Sequence, residues 1–248
     1  MVDNMKILKN PPIKEVVVGV LCEDLFKTFD EINLFFEQSL LKDKYAQKEV
    51  INSMALSIDE EPKLGQRATV GIVCSANNGN SKIHIELDKL MFFDSHKYDK
   101  FETFYDRFKI ILSEILKYKD NNLKINNIGL RYVNNFVLSN ENLNKKFLVK
   151  QSIETRDDEI FAFPLNSLFL MNIKSSKNPN MYAIVKTIKE AHNPVSTRVV
   201  FDIDSHLDGT YNIANEIDLK EKLLELKIFK NKIFFSNFND VYSIKEFM

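Results

Sequence analysis

Two strand-like stretches hold the residue types most capable of chemistry. In "NNIGLRYVNNFVL", Asn126 to Leu138, an arginine stands among hydrophobes, with Arg131 followed closely by Asn134 and Asn135. A guanidinium is a planar fork that matches a carboxylate or phosphate, and neighbouring amides can complete a polar pocket. Arg131, Asn134 and Asn135 are therefore a candidate ligand- or partner-binding set. The competing reading is structural. A half-buried charge persists when it is paired, and Glu86, Asp88, Asp202 and Asp204 are available across a sheet.

The second stretch is "RVVFDIDSH", where strand alternation puts Arg198, Asp202, Asp204 and His206 on one face and Val199, Phe201 and Ile203 on the other. In "KIHIELDKLMFF" the same alternation groups His84, Glu86 and Asp88. Same-face residues two apart lie about 7 Å from each other, so two carboxylates and a histidine could help hold a divalent ion, with waters completing its shell. Asp202, Asp204, His206, Glu86 and Asp88 are the candidate ligands, and a metal-dependent hydrolase acting on a phosphoester could be built on them. A solvated antiparallel face gives the same pattern, and no further ligands occur at a diagnostic spacing.

Other chemistries lack a motif, so the sequence names no catalytic residues. There is no GxSxG elbow, phosphate loop or dinucleotide fingerprint, and the four histidines are far apart. Cys22 and Cys74 sit in apolar runs without metal spacing and read as buried reduced thiols. The aromatic residues Tyr98, Phe101, Phe104, Tyr105 and Phe108 offer a stacking platform for nucleic acid, but their helical spacing equally describes a core stripe. "KIFKNK", from residue 227, reads either as a basic docking site or as the snorkelling end of an amphipathic helix.

The elements that must position these residues follow from periodicity. "IKEVVVGVLC" reads as a central strand and is followed by a helix over Leu25, Phe29, Ile32, Phe36 and Leu40, with Asp24 as its N-cap. The polar run from Lys42 to Leu64 reads as an irregular connection, with room for a short helix. Next come the strand "QRATVGIVCS", a tight turn at Asn77 to Asn80, and "KIHIELDKLMFF" as one strand. Ser95 is the expected cap of a long helix carrying Tyr98, Phe101, Tyr105, Phe108, Leu112 and Ile115. "IFAFPLNSLFLMNIK", "MYAIVKTIKE" and "STRVVFDID" read as further strands. Asp218 and Glu221 resemble a capping box that opens a final helix bearing Leu219, Leu223, Leu226 and Ile233.

The fold class expected is α+β: antiparallel sheet covered by three main helices in one domain, residues 1–248. Hairpin, strand and long helix occur twice, which suggests two similar strand-strand-strand-helix halves at about 1–140 and 141–248. They would share one sheet.

Composition bounds the function. The chain has 248 residues, 44% hydrophobic and 28% charged, with 34 basic against 35 acidic side chains and a net charge of −1. This is a globular profile with a substantial core, and it argues against a polyanion-binding surface over the whole molecule. No apolar run reaches the roughly 18 residues of a membrane span and no signal peptide is recognisable, so a cytoplasmic protein is expected.

Pro12 with Glu15 and Val16, the strand "GLRYVN" at Gly129 to Asn134, and the late Asp202 to Asp204 followed by a helix form a wider pattern. In these features the chain resembles a sporadically distributed bacterial family of unknown function, over nearly its whole length. Val133 replaces the commoner isoleucine of that strand, and the C-terminal helix departs most. The resemblance implies no established activity, cofactor or substrate, and its patchy distribution suits an accessory role at a mobile or defence-related locus. The expectation is a non-enzymatic binding or regulatory protein. It would recognise a protein partner around Arg131, Asn135 and the acidic strands, with no cofactor and no membrane. A homodimer is compatible with it. The alternatives are the metal-dependent hydrolase, with a divalent ion, and a nucleic-acid-binding protein.

Overall fold

The computed structural model describes residues 12–57, 63–98, 100–139, 149–150, 160–161 and 167–236. In chain order the elements are β1 (Ile13–Cys22), α1 (Phe29–Gln38), α2 (Leu41–Lys44), β2 (Gln47–Ser57), β3 (Lys63–Ser75), β4 (Ser81–Glu86), β5 (Lys89–Asp94) and α3 (Phe101–Tyr118). They continue with β6 (Leu123–Ser139), β7 (Val149–Lys150), β8 (Ile160–Phe161), β9 (Ser167–Lys174), β10 (Met181–Asn193), β11 (Ser196–Ile213) and α4 (Glu216–Ser236). Nine strands form one antiparallel sheet in the order β2-β3-β4-β5-β1-β6-β11-β10-β9, and β7 pairs with β8. The chain is thus α+β with the sheet dominant. Its described residues carry four helices rather than three, because the single turn α2 follows α1.

The helices cover one sheet face. Val16, Val18 and Val20 of β1, Leu90 and Phe92 of β5, Ile128, Leu130 and Tyr132 of β6, and Phe201 and Ile203 of β11 join one buried cluster with them. In α3, Phe101, Phe104, Tyr105, Phe108, Ile111, Leu112 and Ile115 are all buried, and Phe92 stacks between Phe104 and Phe108. That occupancy removes four of the five rings of the aromatic platform, since rings at 0–2% exposure cannot receive bases; Tyr98, half-buried ahead of α3, packs edge-on against Tyr132. Tyr105 donates its hydroxyl to the Glu216 carbonyl and so ties α3 to the start of α4.

Several boundaries differ from expectation for identifiable reasons. Asp24 does not cap a helix; its φ of +50° places it in a turn, and α1 starts later, where the Thr28 side chain accepts from the Glu31 amide. Leu25 and Phe26 are core residues of that turn. Ser95 lies outside α3, with its hydroxyl donating to the Asn80 carbonyl. The final helix opens at Asn215, whose Oδ1 accepts from the amides of Ile217 and Asp218 while Asp218 accepts from the Asn215 amide. This is a capping box three residues earlier than the one expected. The run from Lys42 contains the edge strand β2, where one-sided pairing tolerates polar residues.

"KIHIELDKLMFF" is a hairpin rather than one strand. β4 and β5 pair with each other, and Leu87 and Asp88 form the turn, held by Phe26 N–H on Leu87 O and Cys22 N–H on Asp88 O. The Asn77–Asn80 turn is present, with Gly79 at φ +70° and its N–H donating to Ala76 O. Among the described residues no helix is long and apolar enough to cross a membrane.

Glycines in extended positions differ sharply in the room around them. A Cβ on Gly71 would lie 2.3 Å from the Ile85 carbonyl oxygen, whereas one on Gly19 would meet Met91 Cγ at an ordinary 3.6 Å. We therefore expect Gly71→Ala to lose about 1–3 kcal/mol in urea denaturation and Gly19→Ala to stay within about 1 kcal/mol of the parent. Equal effects would show that the β3–β4 approach is not tight.

Candidate functional site

The sheet face away from the helices carries the polar residues. Because side chains alternate along each strand, odd residues of β1 and β6 and even residues of β11 emerge there. Register aligns them in rows: Asp204 of β11 opposite Arg131 of β6 and then Val17 of β1; next His206, Gly129, Gly19 and Met91 of β5; then Asp208, Asn127, Leu21 and Lys89. The paired glycines at the centre have no side chains. A recess of about 220 Å³ opens over them.

One wall is apolar, from Val17, Leu21 and Met91, and the other is polar, from Arg131, Asp204, His206 and Asn127. Arg131 Nε and Nη2 donate to the two oxygens of Asp202 at 2.8 and 2.7 Å. That bonding, with the neighbouring charges of Asp202, Asp204 and Glu15, holds the guanidinium above its ordinary pKa despite its partial burial. His206 Nε2 lies 3.2 Å from Asp204 Oδ1 and its Nδ1 lies 3.4 Å from Asn127 Oδ1. Asn127 in turn donates Nδ2 to Asp208 Oδ1 at 2.6 Å, which orients the amide, and the Tyr182 ring stacks on the imidazole at 5.0 Å. Burial, with Asp208 and Asp204 nearby, raises the Tyr182 phenol pKa.

The expected site residues are only partly assembled. Arg131 is paired with Asp202, across β6–β11. Asn134 is on the opposite face, 1% exposed, where its Nδ2 donates to Phe201 O and Tyr132 O, so it cannot join a surface pocket with Arg131. Asn135 shares the open face but stands four residues from Arg131, about 13 Å along the strand.

The proposed ligand set divides likewise. Both Asp202 oxygens are engaged by Arg131, Asp204 faces His206, Glu86 bonds Lys89 at 2.8 Å, and Asp88 is in the β4–β5 turn. β4 is four strands from β11, about 19 Å of inter-strand spacing. Distance and prior pairing therefore separate the five residues. Among the described residues no group of three or more His, Cys, Asp or Glu side chains is placed to hold a metal ion. Ser205, between Asp204 and His206, points into the core at 0% exposure and offers the recess no hydroxyl. Burial pushes both cysteine thiols up to about 12, so neither is an activated nucleophile.

No known protein family and no curated protein matches the chain. Among solved structures, the crystal structure of the di-domain ARO/CYC StfQ from the steffimycin biosynthetic pathway is similar over 90% of this chain and 96% of that chain. The identity is 6% and the TM-score 0.17. A likeness that loose carries no argument about fold or chemistry.

Two charged features were not read from the sequence. Asp94, 2% exposed, accepts from Arg107 at 2.6 and 2.7 Å and from His96 Nδ1 at 2.6 Å, which fixes the β5–α3 connection. Lys230, in the "KIFKNK" run, is a core residue at 6% exposure with Nζ 3.8 Å from the Tyr132 ring centre. Neither docking nor snorkelling describes it. Helical spacing from Leu223 and Leu226 could have indicated its inward face, but the basic run obscured that signal. The ring returns about 0.5–2 kcal/mol to an ammonium, against several kcal/mol for burying a charge. Burial wins and lowers the pKa to about 7, with Lys227 contributing.

The unfolded lysine holds its proton to about its ordinary 10.5, so between pH 7 and 10.5 the unfolded chain binds more protons and stability rises with pH. We expect Lys230→Met to remove roughly 2–4 kcal/mol of that rise, measured as the parent-minus-variant difference in urea stability from pH 7 to 10. Parallel pH profiles would count against it. The Arg131–Asp202 pair should respond asymmetrically, since Asp202 is buried and Arg131 reaches water. Arg131→Ala should cost about 2–4 kcal/mol and Asp202→Ala about 1, with Arg131→Lys between them because it forfeits the bidentate fork. Equal losses in urea denaturation would refute that asymmetry.

Proposed function

We propose that the chain is a non-catalytic binding protein and that the recess over Gly19 and Gly129 is its recognition element. The observation that carries this reading is the opposed glycine pair between one apolar and one polar wall. The polar side chains are held by one another: Arg131 by Asp202, His206 by Asp204 and Asn127, and Asn127 by Asp208. Such mutual bonding supports a preformed surface, since little side-chain freedom remains to be lost on binding. The same bonding weighs against acid–base or metal chemistry at these groups. An accessory role, of the kind the bacterial family resemblance suggests, is consistent with recognition of this sort.

The recess favours a small group over a broad protein face. At about 220 Å³ it is smaller than a drug-sized pocket, and it is filled from the glycine positions. A Cβ on Gly129 would stand 3.4 Å from His206 Nδ1, close but accommodated, so Gly129→Ala occupies the space and leaves the strand intact. In native mass spectrometry of full-length protein purified gently from its host, we expect the parent to carry a small bound mass that Gly129→Ala lacks at unchanged thermal stability. The same mass on both proteins, or no bound mass on the parent, would overturn the assignment.

A further inference from the structure

We propose that the recess takes an uncharged planar heterocycle of one or two rings, lying on the Gly19–Gly129 floor with a donor–acceptor edge turned to Arg131 and Asp204. This rests on reading the recess as the recognition element. Four features identify the class.

The first is shape. β5 and β11 are three strand spacings apart, about 14 Å, and the side chains of Met91 and His206 lean inward from them to within 3.6 and 3.4 Å of the positions a glycine Cβ would take. Between them the floor is bare peptide backbone. A flat ring can lie against that floor over its whole face, whereas a branched aliphatic group meets it at a few atoms.

The second is size. About 220 Å³ accommodates a ring or a fused pair and is too small for a chain of several rings.

The third is the pattern of atoms left for a ligand. Arg131 spends Nε and one Nη2 hydrogen on Asp202, so Nη1 retains its two donors among the described residues. Asp204 spends Oδ1 on His206 and retains Oδ2 as an acceptor. The two residues are directly opposite in the β6–β11 register, so donor and acceptor stand side by side. A lactam or amidine edge presents the complementary pair.

The fourth is charge. The wall offers one guanidinium beside one carboxylate, and Lys89 at the rim is bonded to Glu86. An anion attracted by Arg131 is repelled by Asp204, and a cation, whose edge carries only donors, would set a donor against the Arg131 Nη1 donors. Neutral ligands escape both penalties. With Asp202 and Glu15 also near Arg131, a phosphate-bearing ligand is disfavoured further.

The test uses the full chain with ¹³C-methyl methionine and follows the Met91 signal during titration with uracil, adenine, benzoate and benzylamine. Uracil or adenine should shift that signal at millimolar concentration or below. The shift should weaken at least tenfold in Gly129→Ala, which fills the floor, and in Asp204→Ala, which removes the acceptor. If benzoate or benzylamine binds at Met91 tenfold more tightly than both bases, the ligand class is wrong while the recess remains a binding site. If no probe shifts the signal but the host-purified parent carries a mass that Gly129→Ala lacks, the class again fails alone. If neither is seen, both readings fail. Equal base binding by the parent and Asp204→Ala overturns the edge assignment.

Discussion

Everything in the sheet depends on the pairing of β1 with β6. Within the sheet, among the described residues, it alone joins the β2–β5 block to the β9–β11 block, and at its centre Gly19 faces Gly129. Cross-strand side-chain contact is the ordinary unit of sheet stabilisation, and here one row supplies none on the open face. The compensation comes from the other face. Val18 pairs with Leu130 and Val20 with Ile128, all at 0–1% exposure, so the helix-covered core secures the junction that the open face leaves bare. A gap can persist at the middle of the sheet because burial beneath it is complete.

One-sided burial also explains how the charges are distributed. On the open face, water still reaches Arg131, Asp204 and His206, and only Asp202, buried beneath them, depends on its pairing with Arg131. On the core face no such relief exists. Asn134 spends its amide on two backbone carbonyls, Asp94 gathers Arg107 and His96, and Lys230 lies against the Tyr132 ring with its affinity for protons lowered. Similar residue types thus have opposite consequences on the two sides of one sheet.

That contrast marks how far the sequence could be read. A continuous apolar run placed β1 at its observed residues, and alternation put Arg131 on the face opposite Tyr132; helical spacing found the buried stripe of α3. These signals are local and periodic. The misreadings arose where tertiary structure overrode them. The exception is "KIHIELDKLMFF", where alternation is clean only to Asp88; the phase slips at Asp88–Lys89, after which Leu90 and Phe92 are the buried positions, and that slip was the local mark of the reversal. Asp24 had the right chemistry for a cap in the wrong backbone conformation. Asn134 and Lys230 looked like surface residues by type, and only the covering helices show otherwise. The recess could not be seen at all, since Gly19 and Gly129 are 110 residues apart and become meaningful only when paired.

The strand order itself accounts for the recess having two unlike walls. Outward from the junction it reads β1-β5-β4-β3-β2 on one side and β6-β11-β10-β9 on the other, and β3-β4-β5 and β9-β10-β11 are successive hairpins that run toward the centre and are each followed by a long helix. The register sets Met91 of β5 and His206 of β11 in corresponding places on either side of the glycine pair. The Asp-Ser-His triplets at 94–96 and 204–206 do not correspond under it: Asp94 is three residues past Met91, whereas Asp204 is two before His206. The corresponding positions carry different side chains, Met91 against His206, Lys89 against Asp204 and Val17 against Asn127. A floor flanked so unequally gives a single orientation to whatever lies across it, because only one side can accept a polar edge.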